Sequence, residues 1–242
     1  MNVLILASAL AGPVTADTQQ LVLATAADAD SSTAVMTRWE RQDAGWTSVG
    51  DPVPVRLGRS GLAWGRGVHD PQDGIQKVEG DWRAPMGAFA LGAVFGANDA
   101  APEGSTWPYI HVTSHDLFVE DPADIRYNQH VVAPGEPGSR PLTEWEQRHQ
   151  MRQDDPAHAL KMFIAHNAMP TVSGAGSAIF FHVWRRDGDR PTAGCTAMAR
   201  PDLEAMITWL RTDAQPVYVL LTESEHTRLA ADWGLPSVDA SN

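Results

Sequence analysis

The 242-residue sequence holds a single cysteine, Cys195, so it forms no disulfide within itself. Its redox compartment therefore cannot be read from bridges. Basic residues are also scarce: 18 Lys and Arg stand against 30 Asp and Glu, for a formal charge of −12. So acidic a chain is a poor partner for nucleic acid or an anionic membrane surface, since both are polyanions. Long apolar runs are missing too, and none approaches the roughly 20 residues a helix needs to cross a bilayer. No internal repeat is visible. What remains is an ordinary globular balance, 43% hydrophobic and 20% charged. The length suits one sizeable domain.

Residues 1–16 stand apart. They carry no charge, include the apolar run 3–6, and end in Val14-Thr15-Ala16 before Asp17. That ending fits the small-residue cleavage pattern of a secretory signal peptide, although the positive n-region is absent. The favoured reading is a signal peptide over 1–16 and a single mature domain over 17–242, periplasmic or exported to the cell envelope. The other reading is a first strand of the fold.

Further along, residues 21–26, 34–40, 88–95, 109–113 and 117–120 read as short strands. Gly-rich stretches at 57–61 and 64–67 read as tight turns. Residues 96–106 and 134–141 read as exposed loops. The C-terminal third is patterned more strongly. Apolar runs at 161–166 and 177–184 suit buried strands, followed by a helix with Leu203, Met206, Ile207 and Leu210 on one face. A strand over 217–221 and a helix capped by Thr222 with Glu225, stopping near Gly234, complete the pattern. The predicted class is α+β, mainly β.

The chemistry concentrates between Ser177 and Met198. A strand delivers His182 at its far end, a polar loop over 185–191 turns the chain back, and Gly194-Cys195 follows. A hairpin-like return of this kind sets His182 beside Cys195. The thiolate is the attacking form, and an imidazole neighbour is the usual means of generating it from a thiol of pKa near ~8.5. The same imidazole then protonates a leaving amine. Gly194, lacking a Cβ, permits a sharp turn and close substrate approach. Backbone N–H groups around Cys195 supply an oxyanion hole.

This strand-His, loop, Gly-Cys arrangement resembles the catalytic core of the YkuD-type L,D-transpeptidases. Lys77, Gly80, Pro85, Gly87 and Phe89 resemble that family's earlier Lys…Gly…Pro-x-Gly-x-Phe motif, in the expected order. The resemblance implies a YkuD-like β-sandwich with a few helices in the C-terminal third, acting on peptidoglycan stem peptides. It implies Cys195 as nucleophile forming a thioester, His182 as proton acceptor and donor, Gly194 in the oxyanion loop, and the Val183 carbonyl as the partner orienting His182. The acyl group passes to an amine of a neighbouring stem, in a 3-3 or 1-3 type crosslink. Two departures stand out. Ala193 occupies the place where many members have a second His, and Thr196-Ala197-Met198 lacks the Arg that often follows the Cys. Arg185, Arg186 and Arg190 are then candidates for stem carboxylates, or simply a solvated basic loop. Trp184, Asn167 and Thr192 complete the substrate-binding candidates, with Trp64 and Trp107 as further aromatic contacts. His166-Asn167 also reads as a structural hydrogen-bonded pair.

No cofactor is expected. His111, His115 and His130 lack the spacing of a metal site. Residues 174–177 precede a strand rather than opening a helix, so they read as a turn and not a phosphate loop. Two other functions fit the same residues: an amidase or endopeptidase that lets water take the acyl group, and a non-catalytic wall-binding module.

Overall fold

The computed structural model describes residues 12–151 and 155–237. Its strands are β1 (Gln20–Ala26), β2 (Thr33–Gln42), β3 (Gly45–Arg56), β4 (Leu62–Trp64), β5 (Ala84–Gly96) and β6 (Tyr109–His111). They continue as β7 (Asp116–Phe118), β8 (His130–Val132), β9 (Leu160–Ile164), β10 (Phe180–Val183), β11 (Thr196–Met198) and β12 (Val217–Thr222). The helices are α1 (Glu144–Arg148), α2 (Arg200–Trp209) and α3 (Glu223–Trp233). The class is α+β and mainly β, as the sequence patterns predict.

Ten strands form one sheet in the order β12-β1-β2-β3-β11-β10-β9-β5-β4, with β6 on β5. Strand β12 pairs in parallel with β1 and antiparallel with β5, so the sheet closes on itself. The closure explains why β12 is buried along its whole length. Inside lie Leu21, Leu23, Phe89, Phe181 and Tyr218, each 1% exposed or less. Burying side chains of this size contributes on the order of 2 kcal/mol each. Helix α2 covers the sheet with Leu203, Met206 and Ile207, the stripe that its periodicity predicts. Helix α3 begins where the Thr222 hydroxyl accepts from the Glu225 N–H at 3.1 Å, and it ends at Gly234 in the left-handed region.

Most of the expected signal peptide, residues 1–11, lies outside the described residues. The remainder packs on the fold. Val14 is 7% exposed within the core, and the Arg41 guanidinium donates to the carbonyls of Thr15 and Thr18. At the cleavage point expected after Ala16, residues Thr15, Ala16 and Asp17 are exposed.

Strand β3 escapes the sequence reading because Pro52, Pro54 and Gly50 argue against a strand. It forms because it pairs along its length with β2 while touching β11 only at Arg56. That leaves the prolines on a largely open edge, while Val53 and Val55 point into the core.

Candidate active site

The return between His182 and Cys195 is not a hairpin. Strands β10 and β11 run parallel, with His182 opposite Ala197 and Phe181 opposite Thr196. The intervening loop doubles back through Arg186, Asp187 and Gly188, all at positive φ, to restart beside the beginning of β10. Extending the register by one step puts Cys195 beside Phe180. The alternation of side chains then sets His182 on the same face of the sheet.

The turn before Cys195 is built by two residues. Gly194 has φ +142°, and a Cβ there would meet the Arg83 carbonyl oxygen at 2.9 Å. Thr192 Oγ1 accepts from the Gly194 N–H at 3.0 Å and donates to the Cys195 carbonyl at 2.7 Å. The Arg83 carbonyl that crowds Gly194 belongs to the first motif. There Lys77 Nζ pairs with Asp81 at 2.5 Å, and Asp81 also accepts from the N–H groups of Val78 and Arg83. The two stretches singled out in the sequence therefore meet at Gly194.

Cys195 is half-buried. Its Sγ accepts from the Phe180 N–H at 3.4 Å and donates to the Ala178 carbonyl at 3.6 Å. Burial pushes the thiol up to about 11. His182 is 4% exposed, and its Nδ1 lies 2.8 Å from the Val183 carbonyl oxygen. Facing a carbonyl, Nδ1 must donate, which leaves the lone pair on Nε2. Burial lowers this imidazole to about 4, so it is neutral at pH 7. His158 stacks on it with ring centroids 5.1 Å apart, and burial lowers it in turn to about 3. The resting pair is a neutral thiol and a neutral base.

The segment entering β10 is held by residues that the sequence reading left aside. Ala178 adopts φ +54°. Its N–H donates to Asn128 Oδ1 at 3.0 Å, and Asn128 Nδ2 donates to the carbonyls of His166 and Asn167 at 2.9 Å each. The Tyr127 hydroxyl donates to Glu79 and accepts from the Gly176 N–H, while Ser177 Oγ donates to the same Glu79 carboxylate at 2.7 Å. Glu79 lies within the first motif, yet nothing local ties it to Ser177. Asn128 is fifty residues from Ala178 in sequence.

Asn167 belongs to this frame. Its side chain bonds Val172 twice and the Gly176 carbonyl once. His166 Nδ1 accepts from the Arg66 N–H at 3.1 Å and Nε2 meets the Ala175 carbonyl at 2.9 Å, as in a neutral structural imidazole. Arg185 is engaged with Asp155, its Nε at 2.9 Å. Arg186 and Arg190 are exposed. Trp184 is partly buried against Gly188, whereas Trp64 and Trp107 lie in the core at 3% and 7% exposure. The three histidines considered for a metal face different partners: His111 Asp99, His130 Asp116, and His115 the Ala133 carbonyl.

A thiol in a glycine turn and a buried imidazole with its Nδ1 tied to a carbonyl thus lie together on a closed β-sheet. The L,D-transpeptidase catalytic domain family, YkuD, matches residues 25–219, and the chain belongs to that family. No curated protein sequence matches it. Among solved structures, the helical cell shape determining protein Pgp2 from Campylobacter jejuni is similar over 84% of this chain, at 14% identity and a TM-score of 0.37. The matched region spans 47% of that protein, a likeness too loose to bear on function. Among the described residues, no helix is long and apolar enough to cross a membrane.

Proposed function

We propose that the protein is a peptidoglycan L,D-transpeptidase of the cell envelope. The observation that carries this reading is the tethering of His182 Nδ1 to the Val183 carbonyl on the face shared with Cys195, which leaves Nε2 as the ring's only proton acceptor. In the reaction, Nε2 takes the Sγ proton as the sulfur attacks a stem-peptide carbonyl. With the Gly194 N–H held by Thr192 Oγ1, the Cys195 backbone N–H receives the developing oxyanion, at about 3 kcal/mol. The imidazolium returns its proton to the departing amine, leaving a thioester on Cys195. An amine of a second stem then attacks the thioester, Nε2 removes its proton, and the sulfur leaves. In this reading Arg190, exposed on the loop after β10, and the partly buried Trp184 at its start meet the stem.

The test is incubation of the protein with disaccharide tetrapeptide and pentapeptide muropeptides, with products read by mass spectrometry and Cys195→Ala as control. Crosslinked dimers that disappear in the variant are expected, and their fragments identify the donor residue. Shortened monomers alone would replace this reading with a hydrolase. Absence of any Cys195-dependent product would end both.

A further inference from the structure

One buried cation has no part in this mechanism. Lys161 lies in β9 directly opposite His182 and is 4% exposed. Its Nζ donates to the Met151 carbonyl at 3.1 Å and sits 5.4 Å from the centre of the Phe180 ring. Phe180 is the residue whose N–H meets Cys195 Sγ. Among the described residues Lys161 forms no ion pair, whereas the other buried lysine, Lys77, is matched by Asp81. A buried ammonium with one carbonyl acceptor is costly without a counter-charge nearby.

The ionisable groups around it come from four elements. They are Cys195 from the turn before β11, Glu120 after β7, His182 on β10 and His158 on the turn before β9. Burial lowers Lys161 to about 8, opposed by Cys195 and Glu120, so it is charged at pH 7. Both imidazoles are neutral there, and Glu120 is exposed to water.

We propose that Lys161 is the counter-charge of the Cys195 thiolate, a positioning cation that steadies the negative sulfur as His182 takes its proton. This deepens the reading above, which takes Cys195 as the attacking group. It also identifies a cation near the sulfur in a chain without the family's second His.

The experiment measures the rate of iodoacetamide alkylation of Cys195 from pH 6 to 11 in the full chain, in Lys161→Met and in Lys161→Arg. Lys161→Met is expected to make alkylation about tenfold slower at pH 7, where Lys161 carries its charge, and to close that gap above pH 9. Lys161→Arg keeps the charge and follows the original profile. An unchanged profile in folded Lys161→Met would overturn the proposal. If that variant does not fold, the Lys161 ammonium is titrated by NMR in the natural protein and in Cys195→Ser. A lower inflection in the serine variant is expected, and an identical one is the overturning result. Alkylation needs no acyl substrate, so a negative muropeptide assay beside a shifted profile would reject the transpeptidase and keep the role of Lys161.

Discussion

The two segments flanking β10 are built on opposite principles. The entering segment, residues 172–179, is stitched by Asn128, Asn167, His166, Tyr127 and Glu79. The leaving segment, residues 184–191, presents Arg185, Arg186 and Arg190 to solvent and is tied by the Arg185–Asp155 pair and by Arg56 to the Gly188 carbonyl. The first fixes the backbone against which Cys195 Sγ rests. The second offers charge with little fixed geometry. A site divided in this way holds Cys195 rigidly and, under the proposed function, leaves the loop that meets the stem free to adjust.

Acidification should separate the two segments most strongly. His158, His166 and His182 are all lowered by burial from 6.5, to about 3, 4 and 4. Between pH 6.5 and 4 the unfolded chain therefore binds more protons, and stability falls as pH falls. Each imidazole contributes on the order of 3 kcal/mol across that window. Thermal melts should show a steep decline there. Amides of residues 172–179 should lose exchange protection before those of β1, and a flat melting temperature from pH 7 to 4 would refute the frame.

Asn128→Ala comes next. It strands the Ala178 N–H and two buried carbonyls, for a loss of about 3 kcal/mol, or roughly 10 °C in Tm. Alkylation of Cys195 should change with it, because Ala178 is one of the two backbone partners of Sγ. Tyr127→Phe removes one hydroxyl that bridges Glu79 and Gly176, and it should cost about 1–2 kcal/mol in chemical denaturation. Arg185→Ala should do least to stability, within about 0.5 kcal/mol, because exposed ion pairs contribute little. If it acts on catalysis, it should raise KM more than it lowers kcat. A loss matching that of Asn128→Ala would erase the distinction between the segments.

The parts of the site that were legible in the sequence are local ones. Gly194 before Cys195, His182 at a strand end and the Lys77 to Phe89 motif each carry their signal within a few residues. The helix over α2 was readable for the same reason, from side chains three and four apart. What escaped depends on distance or direction. Strand β3 hides behind prolines that only an open edge tolerates. The parallel run of β10 and β11 cannot be told from a hairpin by a polar loop. Asn128 looks like any turn residue until the fold brings it to Ala178. Lys161 reads as the start of an apolar strand, and only the register with His182 reveals what it faces.

The closure of the sheet by β12 has a consequence for how the protein comes into being. Strand β12 is synthesised after every other strand of the sheet, yet it joins β1 to β5. Until it emerges, both strands present unpaired edges, and the core behind Phe181 and Tyr218 stays open. Cys195 is synthesised earlier, so the newborn chain passes through an interval in which its thiol exists without the walls that later bury it. Whatever escorts the chain during synthesis has those open edges to cover, and shortening the chain before residue 217 should leave an aggregating product rather than a smaller working domain.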